Sequence, residues 1–195
     1  MTALELANQL KARFGELISE PTEFRGEVTL KVLDAEKIAD LCGFAKQELG
    51  FDYLVDISSV DNYGDDPRWI LAYHLAGLEH NQYLRLVVSV GEEKSELPTV
   101  TTIWRTADWH EREIYDMMGV RFRGHPDLRR ILMWDGYPHF PLRKDFPVTG
   151  KPTEVPEVAV TGVAPIEGGP FVTTPGRKSA ISREPRAKTF ESSPQ

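Results

Sequence analysis

The sequence predicts an α+β fold, with a mixed or antiparallel sheet, helices mainly on one face and an extended C-terminal arm. Three observations carry this prediction. Two segments with helical spacing of apolar residues lie on either side of one alternating strand near the start of the chain. Short aromatic and aliphatic segments, separated by polar turns, then follow in close succession. Beyond residue 147 the composition shifts towards proline and glycine. This order is typical of one sheet covered by helices on one face.

The first helix is expected over residues 2–14, where leucine, alanine and phenylalanine recur at helical spacing. Residues 24–33 alternate between apolar and polar side chains, which indicates a half-buried strand. Asp34 is a plausible N-cap for a second helix that runs to about Leu49. Gly50 is placed to end that helix.

The middle of the chain predicts an antiparallel meander followed by a helix. Three short apolar segments with polar turns between them indicate consecutive strands. Their bounds are 51–60, 69–77 and 83–90. Residues 99–103 are a candidate for one more strand. A third helix is expected over 104–118, with Asp108 as a possible cap.

We expect two parts in the chain: an α+β domain over 1–146 and an extended arm over 147–195. The second part holds 8 of the 14 prolines and cannot bury enough apolar surface to order alone. A disordered tail is one interpretation of it. An arm that orders against a protein partner is the other, since polyproline-like stretches lose little entropy on binding. The basic residues near its end, which suit an acidic partner surface, are Arg177, Lys178, Arg183, Arg186 and Lys188.

The amino-acid composition and net charge are those of an ordinary globular protein, and they exclude several function classes. Of the 195 residues, 41% are hydrophobic, yet no apolar run approaches the roughly 18 residues that a membrane span requires. The first residues lack the basic and apolar regions of a signal peptide, so none is expected. A net charge of −7 argues against broad nucleic-acid binding.

Motifs for catalysis, metal binding or nucleotide binding are missing from the sequence. The single cysteine, Cys42, excludes an intramolecular disulfide and any multi-cysteine cluster within the chain, and its neighbours indicate a half-buried, inert helical thiol. His110 and Glu111 begin like a zinc helix, but Ile114 stands where the second histidine is needed. No glycine-rich phosphate loop or serine elbow is present. Paired carboxylates occur only in turn-like, solvated settings.

The segment 111–146 concentrates charges, aromatics and glycines without any of those motifs. Arg112 and Asp116 are four residues apart, so on a helix they would share a face and could pair. An exposed structural helix is the plain interpretation. Gly119 and Gly124 then bracket a short hairpin-like excursion.

Four arginines follow closely, at Arg121, Arg123, Arg129 and Arg130, and Asp127 among them is a candidate cap for a short helical turn. Because the planar guanidinium fork suits bidentate binding of carboxylates, this patch is expected to clamp acidic side chains at an interface. An RNA or phosphate patch is the rival interpretation, but the exposed aromatic platform typical of such sites is absent from the pattern.

Residues 137–147 contain three prolines and predict an extended, restricted strap laid on another protein. The side chains expected to contact that protein comprise apolar anchors and charged groups. These are Leu142, Arg143, Lys144, Asp145 and Phe146.

The segment 111–146 resembles the 30 kDa subunit family of respiratory complex I, whose bacterial members are the C-type subunits of NADH–quinone oxidoreductase. The family motif joins Glu-Arg-Glu, an acid with two apolar residues, a histidine, a basic residue and two aliphatics. The residues that fill it are Glu111, Arg112, Glu113, Asp116, Met117, Met118, His125, Arg129, Ile131 and Leu132. The downstream run 141–147 also matches the family. Residues 1–110 are compatible with the family domain without identifying it.

The resemblance implies a structural subunit of the peripheral arm, on the cytoplasmic side of a bacterial membrane. It implies contacts with the 49 kDa-type (D-type) subunit and with the B-type subunit, which together form the quinone site. FMN, iron–sulfur clusters and quinone would belong to partner subunits, with no cofactor and no catalytic residue in this chain. Plastoquinone oxidoreductases, reduced-deazaflavin dehydrogenases and membrane-bound hydrogenases contain related subunits. A free-standing binding module is an alternative of another class.

Overall fold

The computed structural model describes residues 1–79, 81–151, 153–154 and 173–174. Contacts divide the chain into two units, Met1–Leu132 and Met133–Gln195. Most of the arm that was expected over 147–195 lies outside the described residues. The predicted boundary at 146/147 therefore stays a prediction.

Helix α1 spans Ala3–Phe14, as the apolar spacing predicts. Thr2 caps it, because its hydroxyl accepts the backbone N–H of Glu5 at 3.2 Å. The Glu5 carboxylate accepts the backbone N–H of Thr2 at 2.8 Å in return, which completes a capping box. The buried face of α1 consists of Leu6, Ala7 and Leu10.

The strand expected over 24–33 is in fact a hairpin. Strand β1 (Thr22–Phe24) pairs antiparallel with β2 (Glu27–Val32) across a two-residue turn. Arg25 and Gly26 form that turn with φ values of +53° and +82°, the left-handed geometry that tight hairpins require. The alternating pattern is confirmed within β2, where Val28, Leu30 and Val32 are buried.

Helix α2 spans Ile38–Leu49 after a short 3-10 turn over Ala35–Lys37. Asp34 caps that turn by accepting the backbone N–H of Glu36 at 3.0 Å. Gly50 ends α2 in the left-handed conformation, as predicted.

Five strands form the main sheet in the order β1-β2-β5-β4-β3. The predicted meander is confirmed by β3 (Tyr53–Asp61), β4 (Trp69–Gly77) and β5 (Gln82–Val90), which pair antiparallel. Strand β2 joins β5 in parallel, so the sheet is mixed. Alternate residues of the strands pack into a core, where α1 lies against β2 and β5 and also contacts α2.

The prediction of a strand over 99–103 is wrong. A short strand, β6 (Glu96–Pro98), precedes that segment and pairs in parallel with β7 (Arg121–Arg123). The excursion between Gly119 and Gly124 is therefore part of a parallel pair and not a hairpin. Residues 99–103 turn instead, and the backbone N–H of Trp104 donates to the carbonyl of Val100 at 3.0 Å.

Helix α3 spans Ala107–Met118, three residues shorter at its start than predicted. Trp104 belongs to the preceding turn, and its indole N–H donates to the backbone carbonyl of Asp52 at 3.1 Å. Asp108 lies within the first helical turn, so its predicted role as cap is wrong. Its carboxylate lies near the positive end of the helix dipole.

In the second unit, residues 133–151 form consecutive turns. The extended strap expected over 137–147 is wrong for its second half. The backbone N–H of Arg143 donates to Phe140 at 3.3 Å, and that of Phe146 donates to Arg143 at 3.0 Å. Pro141 occupies the second position of the first of these turns, where its fixed φ is favourable. The short strands β8 (Thr153–Glu154) and β9 (Thr173–Thr174) pair in parallel.

Candidate functional site

Helix α3 carries three buried charged residues, and charged side chains are rarely buried without partners. Glu111 and Asp116 have no exposed surface, and Arg112 is 7% exposed. Burying a charge is costly unless hydrogen bonds or an opposite charge compensate. The partners of these three side chains therefore define what the motif does.

Asp116 fastens residues 130–132 to the helix. Its Oδ1 accepts Nη1 of Arg130 at 2.5 Å, and the same nitrogen donates to the backbone carbonyl of Asp116 at 2.9 Å. Its Oδ2 accepts the backbone N–H groups of Ile131 at 3.0 Å and Leu132 at 2.7 Å. One carboxylate thus binds a guanidinium and two successive amides, which compensates for its burial.

Arg112 binds the neighbouring backbone carbonyls of the same segment. Its Nε donates to the carbonyl of Arg129 at 3.1 Å and its Nη2 to the carbonyl of Arg130 at 3.2 Å. The predicted pair between Arg112 and Asp116 is wrong. The nearest carboxylate to Arg112 is that of Asp108, one turn earlier, at 4.0 Å.

Glu111 points into the first unit and binds the turn that precedes α3. Its Oε1 accepts the backbone N–H of Val100 at 2.7 Å, and its Oε2 accepts the hydroxyl of Thr99. Burial raises the pKa of Glu111 to about 7, although these two donors act in the opposite direction and Asp108 adds a smaller increase.

His125 lies beside these acids, with a fully buried side chain. Its Nδ1 accepts the backbone N–H of Asp127 at 3.0 Å, so the ring proton of a neutral imidazole sits on Nε2. That nitrogen lies 3.3 Å from Oδ1 of Asp108 and 4.0 Å from Oε2 of Glu111. His125 therefore joins the 124–127 turn to α3.

Asp127 lies in a turn and begins no helix in the described residues, so its predicted capping role is wrong. Instead its carboxylate accepts Nε of Arg129 at 2.8 Å on the surface. Arg123 bonds Glu36 and also Glu96, the latter at 3.2 Å. Three of the four arginines expected to clamp a partner thus bind acids of this chain.

The outward-facing residues of the motif are fewer than the pattern suggests. Glu113 and Arg129 are exposed, as is Arg121. Trp109 presents 59% of its surface, with the Arg112 guanidinium 5.4 Å from its ring centroid. These groups remain available for contact with another chain.

The downstream motif belongs to the second unit. The guanidinium of Arg143 lies 4.4 Å from the ring centroid of Phe140. Phe146 contacts His139, with ring centroids 6.0 Å apart. Leu142 is 55% exposed. The charged residues between these anchors, Lys144 and Asp145, are also exposed.

A buried ion pair elsewhere was missed by sequence reasoning. Arg68 is 2% exposed and donates to both carboxylate oxygens of Asp61, at 2.8 and 2.9 Å, and to Glu92 at 2.6 Å. Its side chain therefore links the two ends of the 62–67 turn to each other and to Glu92 in the 91–95 turn. The available signal was one arginine at the entrance to an otherwise apolar strand, where a charge is expected to have a partner.

Cys42 is fully buried, deeper than the half-buried position that its neighbours indicate. Burial raises the pKa of its thiol far above the ordinary value, with a further increase from Glu111. Across the described ranges, no group of three His, Cys, Asp or Glu side chains has the placement to hold a metal ion. No helix within those ranges is long and apolar enough to cross a membrane.

Comparisons with known proteins agree on one family. The model of the respiratory-chain NADH dehydrogenase 30 kDa subunit matches residues 31–152. The NADH-quinone oxidoreductase C-type subunit of Geotalea uraniireducens is 43% identical over 146 residues, which cover 75% of this chain and 88% of that protein.

Two solved structures have the same fold. The trypsin-resistant fragment of Nqo5 superposes with a TM-score of 0.56 at 30% identity, covering 65% of this chain and all of the fragment. A chain of an archaeal membrane-bound sulfane sulfur reductase superposes with a TM-score of 0.63 at 25% identity, covering 73% of this chain and 84% of that one. This chain belongs to the 30 kDa subunit family of the respiratory-chain NADH dehydrogenase.

Proposed function

We propose that this chain is a non-catalytic assembly subunit in the peripheral arm of a proton-translocating NADH–quinone oxidoreductase (complex I). It braces the quinone-site subunits while electrons pass from NADH to quinone. The observation that carries the proposal is the double fastening of residues 129–132 to α3 by Arg112 and Asp116. A segment fixed at its carbonyls and at its amides presents its exposed side chains in a defined geometry, which lowers the entropic cost of binding a partner.

The partners we propose are the 49 kDa-type (D-type) subunit and the B-type subunit. They carry the nearest redox chemistry, and other subunits of the arm carry FMN and the remaining iron–sulfur clusters. The likeness to the NADH-quinone oxidoreductase protein of Geotalea uraniireducens supports this assignment. In this proposal the peripheral arm lies on the cytoplasmic side of the bacterial inner membrane, and this chain is held there peripherally through its partners.

A tagged copy of the chain tests the proposal. Affinity purification from detergent-solubilised membranes should recover the D-type and B-type subunits in stoichiometric amounts, together with the flavin- and NADH-binding chains. Recovery of the chain alone, at the mass of a free protein, would overturn the proposal in favour of a free-standing binding module.

The same purification tests a second candidate, which the similarity to the archaeal sulfane sulfur reductase chain favours. In that case the chain serves the equivalent position in a related respiratory complex with another electron donor or acceptor. Co-purifying nickel-ligand subunits would identify a membrane-bound hydrogenase. Plastoquinone oxidoreductases and reduced-deazaflavin dehydrogenases would be recognised by their own donor-binding subunits.

A further inference from the structure

The buried carboxyl group of Glu111 differs from that of Asp116 in having no permanent positive charge beside it. Asp116 is paired with Arg130, whereas the hydrogen bonds of Glu111 come from the uncharged Thr99 and Val100. Among the described residues, no lysine or arginine lies within ion-pair distance of Glu111. A bound proton is therefore the simplest way to neutralise this group.

The hydroxyl groups beside Glu111 accommodate either protonation state. Thr99 Oγ1 bonds Oε2 of Glu111 and also lies 2.9 Å from Oγ1 of Thr101, where either hydroxyl can be the donor. When Glu111 is charged, Thr99 donates to it. When Glu111 is neutral, its own O–H donates to Thr99, which then donates to Thr101. Neither state leaves the Glu111 carboxyl group or the Thr99 hydroxyl without a partner, so the proton can leave or arrive without stranding a donor in this chain of bonds.

The hydroxyl chain leads from the core towards a half-exposed residue. Glu111 is fully buried and Thr99 is nearly so, but Thr101 is half-exposed. Two hydroxyl groups therefore lead from the buried carboxyl group to a residue that is partly in contact with solvent.

We propose that Glu111 is a proton-binding site, loaded and unloaded through the hydroxyl groups of Thr99 and Thr101. The site stands inside the first unit and does not depend on the identity of any protein partner. Loading it converts the contact between α3 and the 99–101 turn from a charge-assisted one to a neutral one.

Four titratable groups face Glu111 from its own helix and from the neighbouring elements. Asp108 on the same helix is a like charge that favours the neutral carboxyl. His125 lies 4.0 Å away on the 124–127 turn. From α2 and β4, the thiol of Cys42 and the phenol of Tyr73 are fully buried, and the pKa of each is raised first by burial and then by the charge of Glu111.

The test is a pH titration of the full 195-residue chain labelled with ¹³C at the glutamate carboxyl carbons. One glutamate should titrate near pH 7, well above the ordinary value of 4.5. Glu111→Gln should abolish that transition. Glu113→Gln, the matched control on the exposed side of the same helix, should leave it unchanged. A chain in which every glutamate titrates near the ordinary value would overturn the proposal.

A second variant keeps the proposal testable if Glu111→Gln does not fold. Thr99→Val removes a donor that stabilises the carboxylate and also interrupts the hydroxyl chain. The transition near pH 7 should move to higher pH. An unchanged or lower midpoint would contradict the role of Thr99.

Discussion

Glu111 and Asp116 are both acidic, both buried and both on α3, yet their surroundings assign them different properties. Asp116 accepts hydrogen bonds from a guanidinium and two backbone amides, and these compensate for the burial of its carboxylate. Glu111 receives one amide and one hydroxyl, and burial raises its pKa to about 7. The same residue class on one helix thus serves as a fixed anchor in one place and as a titrating group in another.

The pH dependence of stability follows from Glu111. Its pKa is higher in the folded state than in the unfolded chain, so folding takes up a proton between pH 4.5 and about 7. The stability linked to this group is complete below pH 4.5 and is lost as pH rises through about 7. The loss is on the order of 3 kcal/mol by the free energy per pKa unit. Urea unfolding at about pH 5 and about pH 8, on either side of the folded pKa, should show this loss in the wild type and a much smaller one in Glu111→Gln.

Arg129 and Arg130 are neighbours with opposite expected behaviour. The Arg130 side chain is 10% exposed and neutralises buried Asp116, so Arg130→Ala should destabilise the chain by about 3–5 kcal/mol. The Arg129 side chain pairs with Asp127 on the surface, so Arg129→Ala should cost less than about 1 kcal/mol. Denaturant unfolding measures both. Equal losses would contradict the assignment of the two arginines.

Arg129→Ala should affect assembly of the complex much more than it affects the stability of the chain. If its exposed guanidinium contacts another subunit, Arg129→Ala should fold normally yet lower the yield of assembled complex several-fold. Arg25→Ala, which removes an arginine from the β1–β2 turn, is a matched control. Full assembly of the Arg129→Ala protein would contradict a contact between Arg129 and another subunit.

At the scale of elements, clear local signals in the sequence predicted the second helical segment and the meander correctly. Asp34 and Gly50 bound the second helical segment, and the three strands of the meander follow from apolar segments between polar turns. The pairing of β6 with β7 could not be predicted, because three-residue strands carry no measurable periodicity.

The failed strand at 99–103 has a specific cause. Threonine, valine and isoleucine favour strands, but the N–H of Val100 donates to the carboxylate of Glu111 and is withdrawn from any ladder. A contact between residues eleven positions apart overrides local propensity. The candidate site followed the same rule: the motif residues were identified from the sequence, but their mostly inward orientation was not, because only tertiary contacts decide it.

Arg112→Lys tests the fastening of residues 129–130 to α3. A lysine keeps the charge but cannot donate from two positions of a planar fork to two carbonyls. Hydrogen exchange should accelerate at the amides of Ile131 and Leu132. Protection of the β4 and β5 amides should stay unchanged, and a uniform loss across the sheet would indicate general destabilisation instead.

At the scale of the whole molecule, contacts divide the chain into two units at Leu132. The first unit has its own sheet, helices and core. The composition of the chain beyond residue 147 predicts an arm that depends on a partner for order. The predicted boundary at 146/147, where that change of composition begins, stays a prediction.

Removal of residues 160–195 should weaken recovery of the chain with its partner proteins. The thermal midpoint of the first unit should remain within a few degrees, because its core lies within residues 1–132. Co-purification yield and a melting curve on the same truncated protein measure the two effects. Unchanged recovery would refute the partner-binding arm.

The attachment of residues 130–132 to α3 also sets how the first unit responds to force and to cutting. Chain ends usually fray first, but here the final amides of the unit are bound to a buried carboxylate in the last turn of α3. A pulling force applied to the downstream residues therefore acts on α3 through these hydrogen bonds and does not detach residues 130–132 first. A protease cut after residue 132 leaves this anchor intact, whereas a cut before Arg130 strips a buried carboxylate of its partners. The shortest stable piece of this protein should end at 132.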